Sequence, residues 1–325
     1  MSAVQPTRRL GKAGLEVSVI SLGLWAMGGD EWGPTEDNQS LGTIDAALDA
    51  GVNFFDTADV YGSGHSEELL GRAMKGRRDR FIVATKIGWR GFVDETQTSA
   101  YDSVDKLVAG VESNLARLGT DYVDLLQNHI HKWEPNTEVF LEGFRRLQKA
   151  GKVRAYGASS SDFEFVQRFN ADGGMATLQI DYSILNRTPE AEIFPYCQQN
   201  DIGILVRGPL AMGILAGKFS ASSRFPEGDF RQNWIDKPAE NTVFLNDLAK
   251  VEKLKSLARE RSLGQLALQF SITHPAVSVS IPGAKNTQQL AQNLKAAELG
   301  PLGAEELAAI DAITPPGGGR RIWPA

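Results

Sequence analysis

The feature that most constrains this chain is a regular alternation of short apolar runs with segments of helical period. Eight apolar runs have strand length, beginning with Val17–Leu24, and most are separated by one segment in which apolar residues recur every three or four positions. Near-continuous apolar strands that alternate with helices are typical of a parallel sheet covered by helices. Eight such units predict a closed (β/α)₈ TIM barrel, in one domain that spans residues 1–325. The other seven runs are Asn53–Asp56, Phe81–Thr85, Tyr122–Gln127, Val153–Gly157, Ala176–Asp181, Ile202–Val206 and Val277–Ile281.

A doubly wound nucleotide-binding sheet is the alternative fold for such a pattern. It is less favoured, because no G-x-G-x-x-G follows a strand and no G-x-x-x-x-G-K-[ST] is present. Arg8–Ile20, around Gly11 and Gly14, predicts an N-terminal β-hairpin that precedes the barrel. The first helix is expected at Asn38–Ala50, and an extra helix at Ala304–Ile313 precedes a flexible tail from about residue 315, which is disordered or laid over the barrel mouth.

Local signals place further helix starts and one long loop. Ser161 and Ser262 each begin a capping-box pattern, and Thr188-Pro189 puts proline at a first helical position. The longest irregular stretch runs from Lys218 to about Thr242, and a loop of that length is usually functional or mobile.

The balance of charge and the apolar runs exclude several classes of function. The formal net charge is -6 and basic residues are interspersed with acidic ones, unlike the basic stripe of a nucleic-acid-binding protein. One cysteine, Cys197, allows no internal disulfide, which fits a reducing compartment. The N-terminus has no apolar core of signal-peptide length, and no apolar run approaches the roughly 20 residues that span a membrane. We therefore expect a soluble, cytoplasmic protein.

Polar side chains close three consecutive strands. Asp56 ends the second strand and Tyr61 follows in the next loop, while Lys86 ends the third strand and His129 follows the fourth. Because the carboxyl ends of barrel strands meet at one face, these four side chains are expected to converge on one site. Each alone is more often a cap, a rim residue or a hydrogen-bonded structural residue, but the four together favour catalysis.

The four side chains suit proton transfer to a carbonyl oxygen. A phenol titrates near pH 10, and a neighbouring ammonium is expected to lower the pKa of Tyr61 towards the range of efficient proton transfer. Asp56 can hold the Lys86 ammonium in place, and His129 can donate a hydrogen bond to a substrate oxygen.

The chain resembles the aldo-keto reductase family, including the related potassium-channel β subunits, over nearly its whole length and in the same order. That resemblance implies a (β/α)₈ barrel and NAD(P)H-dependent reduction of an aldehyde or ketone, or oxidation of the alcohol or sugar. It also implies Tyr61 as general acid, with Lys86, Asp56 and His129 as the other catalytic residues. The segments that carry it are Phe55-Asp56-Thr57-Ala58, Tyr61-Gly62, Ser66-Glu67-Glu68-Leu69-Leu70-Gly71, Thr85-Lys86, Asp124-Leu125-Leu126-Gln127-Asn128-His129, Gly151-Lys152-Val153-Arg154-Ala155-Tyr156-Gly157, Gln179-Ile180-Asp181-Tyr182-Ser183-Ile184-Leu185-Asn186-Arg187, Pro209-Leu210-Ala211, Gly213, Gly217-Lys218 and Ile281-Pro282-Gly283-Ala284.

The resemblance also implies the cofactor positions. NADP is favoured over NAD because Lys285 can pair with a 2′-phosphate, although Gln289 stands where some members carry arginine. Two further departures are Ser160, where asparagine or arginine is frequent, and Arg207, where many members have an aromatic ring against the nicotinamide. The implied cofactor-binding residues are Leu24, Trp25, Asp56, Ser159, Ser160, Gln179, Arg207, Gly208, Pro209, Leu210, Ala211, Met212, Lys218, Arg231, Gly283, Lys285, Gln289, Gln292 and Asn293.

Aromatic residues are expected around the substrate, which suggests an apolar or sugar-like carbonyl compound. The expected pocket residues are Trp25, Tyr61, Trp89, His129 and Trp234, with Trp323 as a further candidate.

Two other functions compete with this prediction. His129-Ile130-His131 has the spacing of a metal-binding pair, but the only other histidines, His65 and His274, do not complete a ligand set on other strand ends. An NADP-binding regulatory subunit with little turnover is the second alternative, because potassium-channel β subunits share this fold and a fold does not determine function.

Overall fold

The protein begins with a β-hairpin that lies outside the main sheet. The structure, a computed structural model, describes residues 5–29, 32–89 and 100–321. Strands β1 (Thr7–Leu10) and β2 (Leu15–Ser18) pair antiparallel, with Gly14 in the left-handed conformation at the turn. This confirms the predicted hairpin, but Val17 and Ser18 belong to it, so the predicted first strand at Val17–Leu24 is wrong in its first half.

Eight parallel strands follow in sequential order, from β3 to β10, and curl into a barrel. Two isolated parallel bridges, Ile20 to Ser280 and Gly23 to Gly283, join the first and last strands. The strands are β3 (Leu22–Gly23), β4 (Phe54–Asp56), β5 (Ile82–Ile87), β6 (Val123–Asn128), β7 (Val153–Ser159), β8 (Thr177–Asp181), β9 (Gly203–Arg207) and β10 (Val277–Ser280). The (β/α)₈ barrel predicted from the alternating pattern is confirmed.

Helices cover the outside of the barrel. The α-helices are α1 (Asp37–Asp49), α2 (His65–Met74), α3 (Val104–Leu118), α4 (Thr137–Lys149), α5 (Phe163–Phe169), α6 (Ile193–Gln199), α7 (Asn233–Asp236), α8 (Pro238–Ala258), α9 (Leu263–Thr273), α10 (Thr287–Glu298) and α11 (Ala304–Asp311). None of the helices within the described ranges is long and apolar enough to cross a membrane.

Two local predictions differ from the structure. The cap of α5 is Asp162 rather than Ser161, because the Asp162 carboxylate accepts the backbone N–H of Phe165 at 3.1 Å. The stretch from Lys218 to about Thr242, predicted as irregular, contains the short helix α7 and the start of α8. Pro238 occupies the first turn of α8, where its missing N–H costs nothing. The capping box at Ser262 is confirmed at the start of α9.

Successive side chains of each strand alternate between the barrel interior and the surrounding helices, and this alternation also decides which polar side chains face inward. Phe54, Ala84 and Leu125 fill the barrel interior, whereas their neighbours pack against the helices. Because alternate strand residues share a face, the interior side continues two residues later with Asp56, Lys86 and Gln127. A polar layer therefore caps the apolar core at the carboxyl ends of the strands.

The described part of the C-terminal tail lies against the loops that follow β7 and β8. Gly318 accepts the N–H of Arg187 at 2.8 Å, and Arg320 donates its N–H to Leu185 at 3.0 Å. The Arg320 side chain pairs with Asp247 of α8, and Arg321 binds the carbonyl of Ser161. Residues 315–321 thus cross the same end of the barrel as the polar layer.

Candidate active site

Lys86 is the centre of the polar layer. Its Nζ donates to Oδ1 of Asp56 at 2.6 Å, to the carbonyl of Thr57 at 2.9 Å and to Oη of Tyr61 at 3.2 Å. All three hydrogens of an ammonium are therefore used. Lys86 is fully buried, so its charge depends on these three acceptors.

Asp56 is held from the other side by two amides. Its Oδ2 accepts Nε2 of Gln179 at 2.8 Å and Nε2 of Gln127 at 3.4 Å. Both glutamines are buried on neighbouring strand ends. The carboxylate is consequently fixed in orientation, and with it the ammonium of Lys86.

The loop that carries Tyr61 is positioned by a close contact between two glycines. Gly62 has φ +57, and a Cβ at this position would collide with the carbonyl of Gly28. A Cβ at Gly28 would lie 2.6 Å from the backbone N of Gly62. The two loops can approach this closely only because neither glycine has a side chain. Next to this contact the Tyr61 ring lies over Lys86, with Nζ of Lys86 4.8 Å from the centroid of the ring.

Burial and the neighbouring charges together set the protonation states at this site. Burial raises the pKa of Tyr61 although Lys86 acts to lower it, so the expectation that the ammonium would bring that pKa below its ordinary value is wrong. Burial acts to lower the pKa of Lys86, but Asp56 and Tyr61 outweigh it and the net shift is upward. Tyr61 therefore keeps its proton and Lys86 its charge at neutral pH.

His129 is a neutral imidazole beside the phenol. Burial, followed by the charges of Lys86 and Arg207, holds the pKa of His129 well below its usual range. Its ring stands edge-on to Tyr61 with centroids 5.9 Å apart, and among the described residues no group hydrogen-bonds its Nδ1. A neutral ring has one N–H donor and one acceptor, so His129 can orient an oxygen placed next to Tyr61.

A cavity of about 1160 Å³ runs from these residues to the start of α10. It brings together most of the residues predicted from sequence for the catalytic, cofactor and substrate positions. Those lining it are Trp25, Asp56, Tyr61, Trp89, His129, Ser159, Gln179, Arg207, Gly208, Pro209, Leu210, Met212, Lys218, Arg231, Gly283, Lys285, Gln289, Gln292 and Asn293.

Five predicted residues do not line the cavity. Leu24 and Ala211 are fully buried, and Lys86 lies below the surface that Asp56 and Tyr61 form. The hydroxyl of Ser160 donates to the carbonyl of His131 at 2.6 Å, so it braces the loop after β6. Trp234 packs edge-on to Phe225 and Phe230 instead of facing the substrate region. Trp323 lies outside the described residues.

Sequence reasoning missed several residues that the loops bring to the cavity. Trp32 packs edge-on to Trp25, with centroids 5.2 Å apart, and its carbonyl accepts Nζ of Lys285. Its only sequence signal was its position in a glycine-containing loop after the first strand. The other missed polar residues of the lining are His131, Lys132, Ser262 and Gln265.

Three cations gather at the far end of the cavity. Burial and then the charge of Arg231 lower the pKa of Lys285, and Lys218 acts in the same direction. Asp229 holds Arg231 through a 2.9 Å bond from Nε to Oδ1. The N-terminus of α10 is adjacent, capped by Asn286. Cations that repel one another beside a helix N-terminus suit a phosphate group, and the cavity has room for a dinucleotide.

A metal centre has no support in the geometry. Within the described ranges, no three histidine, cysteine, aspartate or glutamate side chains are grouped so that they could hold a metal ion. His131 stacks on Trp89 with centroids 5.7 Å apart, and His65 pairs with Asp37.

Curated proteins from bacteria, yeast and plants are similar to the chain over most of its length. The aldo-keto reductase YhdN of Bacillus subtilis (strain 168) is 36% identical over 284 residues, which cover 85% of this chain and 84% of that protein. The aldo-keto reductase yakc of Schizosaccharomyces pombe, whose name specifies NADP(+), is 30% identical and covers 98% and 97%. A probable voltage-gated potassium channel subunit beta of Oryza sativa subsp. japonica is 30% identical and covers 94% of each chain.

A solved structure supports the same relationship. The glycerol dehydrogenase of Gluconobacter oxydans superposes with a TM-score of 0.82 and 31% identity, over 98% of both chains. Residues 19–315 also match the model of the Aldo/keto reductase family, which therefore covers every barrel strand and the cavity. The family match and the relatives, together with the cluster of Asp56, Tyr61, Lys86 and His129 at the strand ends, show that this chain belongs to the aldo/keto reductase family of oxidoreductases.

Proposed function

We propose that this protein reduces an aldehyde or a ketone with NADPH, and that Tyr61 is the general acid. The observation that carries the proposal is the position of Lys86, whose Nζ joins Asp56 to the Tyr61 hydroxyl at one end of the cavity. A buried phenol with a charged hydrogen-bond donor on its oxygen can release a proton, because the donor stabilises the phenolate that forms.

The residues of the cavity fit NADPH. Lys285, Arg231 and Lys218 would hold its phosphates, and the N-terminus of α10 lies beside them. Gln179 and Ser159, near Asp56, would hold the nicotinamide end. When bound, NADPH supplies the hydride for the carbonyl carbon. The name of the yeast relative, which specifies NADP(+), supports the choice of this cofactor.

The chain's own residues would act on the substrate oxygen. His129, as a neutral imidazole with one N–H, would donate one hydrogen bond and set the orientation of the carbonyl. Tyr61 would transfer its hydroxyl proton to that oxygen, and Lys86 would stabilise the remaining negative charge. The rings of Trp25 and Trp89 would exclude water from the reacting centre, which strengthens both interactions.

The reverse reaction uses the same residues, with the Tyr61 phenolate as base. The structural neighbour described as a glycerol dehydrogenase supports oxidation of an alcohol or sugar as an alternative direction. The similarity to a probable potassium-channel subunit beta supports a second candidate, a regulatory subunit that binds NADP with little turnover. The complete set of four polar side chains favours the enzyme.

The test is a titration with NADPH and NADH, followed by quenching of tryptophan fluorescence. Trp25 and Trp32 line the cavity, so a bound nicotinamide is expected to quench them. A Trp25→Phe variant should give a smaller quenching signal, because it removes one of the tryptophans that line the cavity. We expect saturable binding of NADPH and weaker binding of NADH, followed by oxidation of NADPH when carbonyl compounds are added. Absence of binding would overturn the proposal, and binding without turnover of any carbonyl would favour the regulatory subunit.

A further inference from the structure

Behind Lys86 lies a second buried polar cluster that does not face the cavity. Glu67, in the first turn of α2, is fully buried. Its Oε1 accepts the hydroxyl of Thr85 at 2.5 Å, and its Oε2 accepts Nε of Arg117, from α3, at 2.7 Å. A buried carboxylate is costly unless it is paired and hydrogen-bonded, and this one is.

The cluster reaches the main chain of Lys86. Nη2 of Arg117 donates to Oδ1 of Asn114 at 2.8 Å, and Nδ2 of Asn114 donates to the carbonyl of Lys86 at 3.3 Å. Glu67 also binds the residue before Lys86, through the Thr85 hydroxyl. The ion pair therefore fixes the backbone on both sides of the Lys86 Cα.

The neighbouring residue of α2 reaches the other end of the same side chain. The hydroxyl of Ser66 lies 2.8 Å from that of Thr57, and the carbonyl of Thr57 accepts Nζ of Lys86 at 2.9 Å. The first turn of α2 consequently supports both the backbone and the ammonium of Lys86. Packing of α2 on α3 alone does not account for the hydrogen bonds that join this turn to Thr85, to Thr57 and, through Asn114, to the Lys86 carbonyl.

We propose that Glu67 is a positioning residue, which keeps the Lys86 ammonium directed at the Tyr61 hydroxyl through Thr85 and through Arg117 and Asn114. The inference rests on the proposed function for its effect on turnover. Glu67 touches neither the cavity nor the reacting atoms, so it acts only through Lys86.

The surroundings of Glu67 make this positioning sensitive to pH. Burial raises the pKa of Glu67 to about 7, although Arg117 and Thr85 act to lower it, and the carboxylate of Asp59, in the loop after β4, raises it further. Of the charged groups, Arg117 faces Glu67 from α3 and Asp59 faces it from the loop after β4. As pH falls through about 7, Glu67 takes up a proton, Arg117 loses its ionic partner, and the support of Lys86 weakens. Turnover should then fall on the acid side.

The decisive experiment is an ultraviolet titration of Tyr61, which needs neither cofactor nor turnover. The absorbance of the phenolate is followed as pH is raised in the wild type and in Glu67→Gln. The same titration is made of each protein with Tyr61→Phe added, and the difference between the two curves gives the titration of Tyr61. If Glu67→Gln acted only by removing a negative charge near Tyr61, the midpoint of the Tyr61 titration would move to lower pH. If it displaced Lys86, the midpoint would move to higher pH, because the phenolate would lose its neighbouring cation. We expect a shift to higher pH; a shift to lower pH, or none, would overturn the inference.

Kinetics in the same variants provide a second measurement. Glu67→Gln should bind NADPH like the wild type, lose up to about 100-fold in kcat through misplacement of the ammonium, and lose the inflection near pH 7. Glu67→Asp should restore part of kcat. The control is Glu68→Gln, an exposed neighbour on α2, which should behave as wild type.

Three results separate the possible failures. Wild-type kcat and an unchanged pH profile in Glu67→Gln would overturn the inference and leave the proposed function intact. If Glu67→Gln does not fold, Asn114→Ala cuts the link to the Lys86 carbonyl and must show the same Tyr61 shift, or the inference is wrong. If the wild type neither binds NADPH nor turns over, the proposed function fails, and the Tyr61 titration still decides the role of Glu67.

Discussion

The ammonium of Lys86 lies 2.6 Å from the carboxylate of Asp56, and the two side chains are 0% and 4% exposed. A pair this deeply buried retains its charges only because each member also has other polar partners. For Lys86 one of those partners is the Tyr61 hydroxyl, so the charge pair and the proposed proton donor form one unit.

Removing one member of this pair should cost more stability than removing both. Lys86→Met leaves the Asp56 carboxylate buried without its cation, and we expect a loss of about 3–5 kcal/mol in the free energy of unfolding. The double variant Lys86→Met with Asp56→Asn should lose less than the single one. Urea denaturation at pH 7 measures both, and additive losses would show that the two side chains are not coupled.

Tyr61→Phe should bind NADPH with wild-type affinity and lose most of its turnover. A positioned general acid contributes about 10²- to 10⁴-fold, and the loss should fall in that range. The measurements are the fluorescence titration and steady-state kinetics on one carbonyl substrate. Full activity in this variant would remove Tyr61 as the acid.

Lys285→Ala should weaken the binding of NADPH more than that of NADH. The two cofactors differ by the 2′-phosphate, and Lys285 lies with Arg231 and Lys218 where that group is proposed to bind. A charge-assisted hydrogen bond is worth about 1.5–3 kcal/mol, or roughly 10- to 150-fold in the dissociation constant. Lys295→Ala, which removes an exposed lysine of α10 paired with Glu298, is the matched control. An equal loss for both cofactors in Lys285→Ala would defeat the assignment.

His129 should make the protein less stable in mild acid. Its pKa is lowered in the folded state, so below about pH 6.5 the unfolded chain binds a proton that the folded chain does not. The contribution of His129 to the free energy of unfolding should therefore decrease as pH falls through this range, by up to about 1.4 kcal/mol per pH unit. Glu67, whose pKa is raised to about 7, contributes in the opposite direction in the same range, so the contribution of His129 is read from a comparison with a variant. Denaturation of wild type and His129→Gln between pH 7 and 5 tests the sign: the stability of the variant relative to that of the wild type should rise as the pH falls.

Gly62→Ala should move Tyr61 away from Lys86. The new Cβ would collide with the Gly28 carbonyl. In addition, Gly62 has φ +57, a backbone conformation that residues with a Cβ rarely adopt. We expect a loss of kcat that exceeds the loss of NADPH affinity. Gly42→Ala, within α1 and with open space at its Cβ, should leave kcat unchanged and raise stability by about 0.5–1 kcal/mol. Similar kinetics in the two variants would show that the Gly28–Gly62 contact does not place Tyr61.

Sequence alone determined the barrel and the position of the central cluster. Eight apolar runs with intervening helical periods leave few other folds, and strand parity continues Phe54 into Asp56 and Ala84 into Lys86 on the same face. The spacing of apolar residues along a strand or helix shows which face each residue lies on, so the residues at the strand ends can be placed before any contact is known.

Tertiary structure decided what that cluster does and which other residues join it. The sequence predicted a lowered pKa for Tyr61, but burial, which depends on every element packed around the ring, raises it. Trp32 and Trp234 lie in or near loops without a period, and only the folded loops put the first in the cavity and the second outside it. The link from Glu67 through Arg117 and Asn114 to Lys86 joins three elements. Distances between such elements are set by packing, which no local pattern in the sequence encodes.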